Sequence, residues 1–216
     1  MLLADCGTAY VKILDTDTNH IRIVRTTDFL EEPPGRFDAA TGHLGRMTAD
    51  FYQNELICLA RGAQELLDSD TFCVIDVGGR DTKLVEFKDG KPVKLDWNTS
   101  CGANTGFTLE IVGKYYDIDF KTLLPDEQFI NVTCGVFGIE RVFDLIIDGF
   151  SQERAVARFV HGVARNVHRA VDRKEKFYLS GGLVENTCFL KTLERYADVH
   201  ALGRTVLLEG LKVCTR

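Results

Sequence analysis

Asp5-Cys-Gly-Thr-Ala-Tyr-Val-Lys12 and Asp76-Val-Gly-Gly-Arg-Asp-Thr-Lys83 share one form, an Asp-x-Gly turn with a lysine trailing it. Each stretch follows a short apolar segment, so each aspartate is expected at the end of a β-strand, with its glycine in the next turn. Glycines there let backbone N–H groups approach phosphate oxygens that a side chain would block. Two such turns predict a phosphate clamp, and therefore a nucleotide-binding protein.

The residues of the two turns suggest a division of roles. A carboxylate does not bind phosphate directly, so Asp5 and Asp76 are predicted to hold Mg2+ or its waters, with Asp81 as a further catalytic candidate. Lys12 and Lys83 are predicted to offset phosphate charge. The predicted phosphate contacts are Gly7, Thr8, Gly78 and Gly79.

A third turn follows a short apolar strand at 177–179. In Ser180-Gly-Gly182, the absence of side chains at Gly181 and Gly182 would let the sugar or the flat ring of a nucleoside lie against the backbone. A strand-to-helix turn that needs positive φ explains the same pattern. The turn is therefore a nucleoside-binding candidate.

The order of elements predicts an α/β fold built by duplication. Apolar runs in 1–24 indicate a β-meander, 31–46 reads as turn and loop, and 51–67 has helical spacing. Residues 72–77 and the hairpin around Asp89-Gly90 then repeat the opening, before helices at 105–116, 139–147 and 152–171. A helix is expected through residue 194, then a short strand and a tail over 200–216. The predicted lobes are 1–70 and 71–216, with a nucleotide cleft.

The composition limits the classes of molecule that the protein is expected to bind. The 216 residues carry 26 Lys and Arg against 32 Asp and Glu, a net charge of -6. No basic run interleaved with aromatics occurs, so nucleic acid is not an expected partner. No apolar run approaches the roughly 18 residues of a membrane span, and the chain opens on a strand-like segment rather than a leader. We expect a cytoplasmic protein that binds proteins and small anions.

Seven cysteines, an odd number without a secretion signal, argue against a disulfide framework. Cys101 and Cys134 differ from the rest because each opens a turn containing Gly and Thr that leads into an amphipathic stretch. Two cysteines supply half the ligands of an iron-sulfur cluster, so a cluster requires a symmetric dimer. Zinc is the alternative occupant, although the separation of 33 residues (134 − 101) is unlike the short paired spacings of structural zinc sites.

These residues resemble a known family. The two phosphate turns and Leu179-Ser-Gly-Gly-Leu-Val-Glu-Asn186 resemble the actin-like, ribonuclease H-like ATPase core. Five motifs, in family order over nearly the whole chain, resemble the activators of 2-hydroxyacyl-CoA dehydratases and the ATPase subunits of benzoyl-CoA reductases. They are Ala40-Thr-Gly-His-Leu-Gly-Arg46, Glu55-Leu-Ile-Cys58, Asp76-Val-Gly-Gly-Arg-Asp81, Cys101-Gly-Ala-Asn-Thr-Gly106 and Thr133-Cys-Gly-Val-Phe137.

The resemblance implies an ATP-dependent electron carrier. It implies a homodimer with one 4Fe-4S cluster, ligated by Cys101 and Cys134 of each subunit. ATP and Mg2+ would be the other cofactors, ferredoxin or flavodoxin the electron donor, and an iron-sulfur dehydratase or reductase the client. Helix N-termini behind the cysteines would favour an anionic cluster.

The chain departs from the family pattern at Arg80, where the family has Gln, and at Asn104, where it has Gly. The C-terminal helix of the family is predicted to be absent, because 200–216 reads as a strand and a tail. A small-molecule kinase or a nucleotide-sensing module on the same core are the alternative functions. A kinase would need a separate acceptor pocket with its own carboxylate, and a sensing module would lack a redox centre.

Overall fold

The structure is a computed structural model that describes residues 1–31, 35–98 and 106–216. By contacts the chain forms two compact units. One contains residues 1–74, 85–96 and 204–216, and the other contains 75–84 and 97–203. Each unit is assembled from segments that are separated in the sequence. The predicted lobes, 1–70 and 71–216, divide the chain at one point, and that division stays a prediction.

The first sheet is built from the N-terminal meander and two parallel strands. Strands β1 (Leu2–Cys6), β2 (Tyr10–Asp15) and β3 (His20–Arg25) pair antiparallel in sequence. Strand β4 (Phe37–Gly42) pairs parallel with β1, and β5 (Ala49–Tyr52) pairs parallel with β4. The order is β3-β2-β1-β4-β5. This sheet places Asp5 at the carboxyl end of β1.

The second sheet repeats that order. Its strands are β6 (Phe72–Val77), β7 (Thr82–Lys88), β8 (Lys91–Asn98), β9 (Lys176–Ser180) and β10 (Asp198–Gly203). Read from the other edge, their order is β8-β7-β6-β9-β10, the same arrangement as in the first sheet. The predicted β6–β8 segment and its Asp89-Gly90 turn are confirmed, as is the predicted duplication.

The first unit holds α1 (Thr26–Glu31), α2 (Gly45–Thr48), α3 (Glu55–Leu66) and α8 (Val206–Cys214). Helices α3 and α8 pack directly on one another. They can do so because Gly62 and Gly210 lie at the crossing, where a Cβ at either would overlap the backbone of the facing helix. Both helices also contact the first sheet.

The second unit holds α4 (Gly106–Tyr115), α5 (Gly135–Ile147), α6 (Gln152–Ala170) and α7 (Thr187–Leu193). A 3-10 turn (Gly182–Glu185) precedes α7. Helix α6 is central, because most of its apolar side chains are fully buried and α4, α5 and α7 all pack on it. Within the described part of the chain, no helix has the length and apolarity needed to cross a bilayer.

Two sequence-based predictions were wrong. Residues 31–46 are not mostly loop, because 37–42 form the buried strand β4, whose small residues pack on both faces and so lack the alternation that marks an exposed strand. Residues 200–216 are not a strand and a tail, because α8 follows β10. Its apolar residues lie at helical spacing, but Gly210 interrupts the run and resembles a helix breaker.

Three boundaries also moved. Helix α3 begins at Glu55 rather than at 51, because Ala49–Tyr52 is used as strand β5. Helix α5 begins at Gly135, directly after Cys134. The helix expected after Ser180-Gly-Gly182 is divided into the 3-10 turn and α7, with the Asn186 side chain capping α7 by accepting a hydrogen bond from the Phe189 N–H at 2.9 Å.

Candidate functional site

The first turn is organised around a buried ion pair. Asp5, in β1, is 2% exposed and lies opposite Lys12 in the antiparallel register of β1 and β2. The Lys12 ammonium donates to Asp5 Oδ2 at 2.5 Å. The two residues predicted to hold Mg2+ and to offset phosphate charge are therefore direct partners.

The backbone of the first turn is fixed by Thr26, at the start of α1. Its hydroxyl donates to the Gly7 carbonyl at 2.8 Å, and its N–H donates to the Ala9 carbonyl at 3.0 Å. A Cβ on Gly7 would lie 2.8 Å from the Tyr10 carbonyl oxygen, so the tight turn has no room for a side chain there. Thr8 is exposed, so its hydroxyl is accessible to a ligand.

The second turn has the same sequence form but different contacts. Asp76, 5% exposed at the end of β6, accepts a hydrogen bond from the Ser180 hydroxyl at 2.8 Å. Lys83 donates instead to Asp81, at 2.5 Å from Oδ1, and its ammonium lies 5.2 Å from the centre of the Trp97 ring. The strand-end carboxylate of this turn is thus held by a hydroxyl.

Two further contacts of the second turn involve Asp81. The Gly78 N–H donates to the Asp81 carbonyl at 3.0 Å, so Gly78 closes the turn with its own amide. Arg80, one of the departures from the family pattern, brings its Nε to 3.9 Å from Asp81 Oδ2. Gly78 therefore uses its own N–H to close the turn. The Arg80 guanidinium lies beside the Asp81 carboxylate.

A pair of glycines that follow equivalent strands completes the duplication. Gly181 directly follows β9 and has a φ of 95°. Gly42 is the last residue of β4 and has a φ of 87°. A Cβ on Gly42 would lie 2.5 Å from the Cys6 carbonyl oxygen, and a Cβ on Gly181 would overlap the backbone of Val77. Cys6 and Val77 each directly follow the strand-end aspartate. Sequence reasoning assigned Gly181 and Gly182 and missed Gly42, although Thr41-Gly42 repeats Ser180-Gly181.

Glu55 is a buried carboxylate that sequence reasoning also missed as a site residue. It is 7% exposed at the first position of α3, where Asn54 caps the helix by accepting from the Leu56 N–H at 2.9 Å. Burial, with smaller contributions from neighbouring charges that include Asp5 and Glu55, raises the pKa of Cys58 to about 12. Both carboxylates therefore lie within electrostatic range of one thiol. The sequence pattern that could have identified Glu55 is a carboxylate at the first position of a helix with an apolar face.

Six cysteines lie in the described residues, and none of them forms a disulfide. Cys6, Cys58 and Cys188 are fully buried, and burial raises their pKa values to about 11 or 12, so they are unreactive packing residues. Cys134 is only half-buried and is the N-cap residue of α5, with its thiol at a helix N-terminus. Cys101 lies outside the described residues.

Residues 1–31, 35–98 and 106–216 contain no group of three or more His, Cys, Asp and Glu side chains placed to hold a metal ion. A cluster would therefore take Cys134 together with thiolates from elsewhere. The N-terminus of α5 suits an anion, because the helix dipole favours negative charge beside Cys134.

Similar proteins were found by sequence and by structure. The chain is 27% identical over 164 residues to the 2-hydroxyisocaproyl-CoA dehydratase activator of Clostridioides difficile, with 71% of this chain and 61% of that protein covered. It is 28% identical over 167 residues to the (R)-2-hydroxyglutaryl-CoA dehydratase activating ATPase of Acidaminococcus fermentans, with 69% and 62% covered. These alignments span somewhat less than two thirds of either relative.

A solved structure supports the fold. The activator of the 2-hydroxyisocaproyl-CoA dehydratase from Clostridium difficile with bound ADPNP superimposes with a TM-score of 0.79 at 22% identity, covering 98% of this chain and 92% of that one. This confirms the predicted actin-like α/β core. The model of the BadF/BadG/BcrA/BcrD ATPase family matches residues 35–207, which confirms the resemblance drawn from the motifs, and the chain therefore belongs to that family.

Proposed function

We propose that the chain is an ATP-dependent activase that delivers an electron to a client enzyme of the acyl-CoA dehydratase or reductase class. The observation that carries the nucleotide part is the repetition of one arrangement in both sheets. Asp5 and Asp76 are buried strand-end carboxylates, each followed by a glycine turn and each near a positive-φ glycine after a second strand. The relatives named as dehydratase activators supply the client class.

The residues of the turns have distinct tasks in this proposal. Asp5 and Asp76 hold Mg2+ directly or through its waters, since carboxylate oxygens are its preferred protein ligands. The turns at Gly7-Thr8 and Gly78-Gly79 hold the phosphates, and Gly181-Gly182 meet the nucleoside. Lys12 and Lys83 each already carry a carboxylate partner, so they neutralise charge at the two turns whether or not phosphate is bound. Glu55, buried at the first position of α3, is the further carboxylate proposed to orient a water.

The electron-carrying part rests on Cys134, with Cys101 as the second ligand of each subunit. A 4Fe-4S cluster shared by two copies would supply one-electron chemistry at low potential. Cys134 fits this use because its thiol is half-buried at the N-cap of α5, where helix N–H groups favour a thiolate. A reduced ferredoxin or flavodoxin is the proposed donor.

Exposed apolar side chains on α4 and α5 support the proposal that a protein partner binds near Cys134. Helices α4 and α5, which follow the two cysteines, contact one another and carry a set of large exposed apolar residues. The set is Phe107, Ile111 and Tyr115 on α4, and Val136, Phe137, Phe143 and Ile147 on α5, the last 83% exposed. Large apolar side chains exposed on neighbouring helices are typical of protein interfaces, so this set supports the homodimer or client contact.

Iron and acid-labile sulfide assays on anaerobically purified protein, with an electron paramagnetic resonance spectrum, test the proposal. We expect about four irons per dimer. Cys134→Ser is expected to abolish them. Cys214→Ser is the matched control, because Cys214 is equally half-buried but lies at the last position of a helix rather than its N-cap. Full iron in Cys134→Ser, or a colourless wild-type protein that still binds Mg-ATP, would overturn the electron carrier in favour of a kinase or a sensing module.

A further inference from the structure

A cavity of about 580 Å3 lies between the loop 117–126 and the first turns of α6. Its lining residues all belong to the second unit, and they are separate from the two Asp-x-Gly turns and from Cys134. The volume falls within the roughly 300 to 1,000 Å3 that is typical of ligand pockets. The cavity is therefore large enough to bind a ligand of its own.

The loop that forms one wall of the cavity is held by two helices. The Ile118 N–H donates to the Gly113 carbonyl of α4 at 2.8 Å, and the Cys188 N–H of α7 donates to the Phe120 carbonyl at 3.2 Å. The Phe120 ring also packs on the backbone of α4, where a Cβ on Gly113 would lie 2.5 Å from it. Because these contacts already fix the wall, a ligand would not have to order it, and binding costs less conformational entropy.

Apolar side chains line the cavity and continue outside it. Leu123 and Ala157 are both lining residues and are buried, with 7% and 1% of their surface exposed. Leu124 lines the cavity as well, but it is 75% exposed. An apolar side chain of a ligand would therefore be buried against Leu123 and Ala157, and Leu124 offers an apolar contact to a ligand that extends beyond the cavity.

The lining of the cavity carries an excess of negative charge. It contains the four carboxylates of Asp117, Asp119, Asp126 and Glu153, and the guanidinium of Arg154. Asp126 and Arg154 form an ion pair at 3.1 Å and offset one another. The other three carboxylates belong to exposed residues of the loop and of α6. Three like charges that line one cavity attract a cation, and the attraction is strongest at low ionic strength.

From the fixed wall, the apolar lining and the charge, we propose that this cavity binds an extended basic segment of a protein partner. An apolar side chain of the segment enters the cavity, and lysine or arginine side chains on either side of it pair with Asp117, Asp119 and Glu153. A peptide fits better than a small cation, because the carboxylates lie on two different elements and Leu124 extends the apolar surface beyond the cavity. This docking site is additional to the proposed nucleotide and cysteine sites.

Fluorescence anisotropy of the full chain with a synthetic peptide tests the proposal. The probe is a labelled heptapeptide of alternating lysine and leucine with blocked ends, and the matched peptide has glutamate in place of lysine. We expect the lysine peptide to bind with a Kd below about 100 µM at about 50 mM salt, and to bind more weakly as salt is added. Absence of binding by the lysine peptide, or equal binding by the glutamate peptide, overturns the proposal.

A double variant and a charge-matched control locate the binding. Asp117→Asn with Glu153→Gln removes two of the three carboxylates, and asparagine tolerates the φ of 54° at residue 117. Asp89→Asn with Glu65→Gln makes the same change of charge elsewhere, also at an aspartate of positive φ, here 50°. We expect the Kd for the lysine peptide to rise by about tenfold in the first protein and by less than about twofold in the second. Equal changes in the two proteins overturn the proposal.

Leu124→Asn tests the apolar contact. Because this side chain is 75% exposed, the substitution should leave the fold intact, and we expect the Kd for the lysine peptide to rise by about fivefold. Thermal unfolding midpoints check the fold of every variant. If the double variant is unfolded, Leu124→Asn decides alone, and an unchanged Kd in that protein overturns the proposal.

Two other occupants of the cavity would give distinct results. Spermidine that displaces the lysine peptide at an equal concentration would assign the cavity to a small organic cation. A dimer that sedimentation velocity detects in the wild type, and that the double variant loses, would assign the cavity to a second copy of this chain. Either result overturns the proposal of a separate protein partner. All of these outcomes leave the proposed function intact, because it rests on other residues.

Discussion

The Asp5 turn and the Asp76 turn have one sequence form and two different sets of contacts. In the first turn the trailing lysine pairs with the strand-end aspartate across neighbouring strands. In the second turn Ser180 binds the aspartate, and the trailing lysine pairs with Asp81 within the turn. The second turn also caps α4 through the carbonyls of Gly78 and Gly79, whereas the first turn is held by Thr26 at the start of α1.

The two copies therefore share their backbone arrangement more closely than their side-chain partners. Gly42 and Gly181 repeat both their positive φ and their approach to the residue after the aspartate. The partners of Asp5 and Asp76 differ because a side-chain contact can be exchanged without moving a strand. Four experiments compare the two copies, and two of them include a control from elsewhere in the chain.

The largest effect is expected on ATP hydrolysis. Asp5→Asn and Asp76→Asn should each lower the rate by about 100-fold, because each removes a carboxylate proposed to hold the Mg2+ that would neutralise the charge developing on the phosphate. Iron content should stay near that of the wild type in both variants. A steady-state phosphate-release assay gives the rates. A normal rate in one variant and a large loss in the other would show that only one turn is catalytic.

The next effect is on stability, and it should distinguish the turns. Lys12→Met leaves Asp5 buried without its cation, so we expect the free energy of unfolding to fall by about 3 kcal/mol. Lys83→Met should cost about 2 kcal/mol, because Arg80 lies 3.9 Å from the same carboxylate and offsets part of its charge. Urea titrations measure both. Lys114→Met, which breaks an exposed pair with Glu110, is the control and should cost less than about 0.5 kcal/mol.

The two glycines should behave alike, since the backbone is the repeated part. Gly42→Ala and Gly181→Ala should each cost about 2 to 4 kcal/mol, from the positive φ and from overlap with a neighbouring strand. Gly149→Ala has a φ of 92° with no atom within 4 Å of the added Cβ, so it should show the cost of φ alone, about 1 kcal/mol. Thermal unfolding midpoints compare the three. A Gly42→Ala as mild as Gly149→Ala would break the equivalence of the two sheets.

The smallest effect concerns the residue that faces each aspartate from the neighbouring strand. Ser180→Ala deletes a hydrogen bond to the Asp76 carboxylate, so we expect a loss of about 1 to 2 kcal/mol. Thr41, opposite Asp5 in β4, is fully buried, and its hydroxyl makes no hydrogen bond with the described residues, so Thr41→Val should cost less than Ser180→Ala. Urea titrations again provide the measurement, and equal losses would indicate that Thr41 also supports its aspartate.

Local patterns determined much of this protein. The meander, the β6–β8 segment with its turn, and the helices at 105–116 and 152–171 were predicted to within about two residues. Each is specified by hydrophobic spacing and turn residues within a short window. The same windows identified Asp5, Asp76 and Cys134 at the positions that the structure gives them, at strand ends and before a helix.

Tertiary structure decided what depends on residues distant in sequence. Strand β4 is a strand because β1 and β5 lie on either side of it, and α8 is a helix packed on α3 because two glycines allow the backbones to meet. Ser180 became the partner of Asp76 across 104 residues, and the Gly78-Gly79 carbonyls became the cap of α4. Sequence patterns record which residues can form such contacts. The choice among possible partners is made only when burial and hydrogen bonding are satisfied for the whole chain at once.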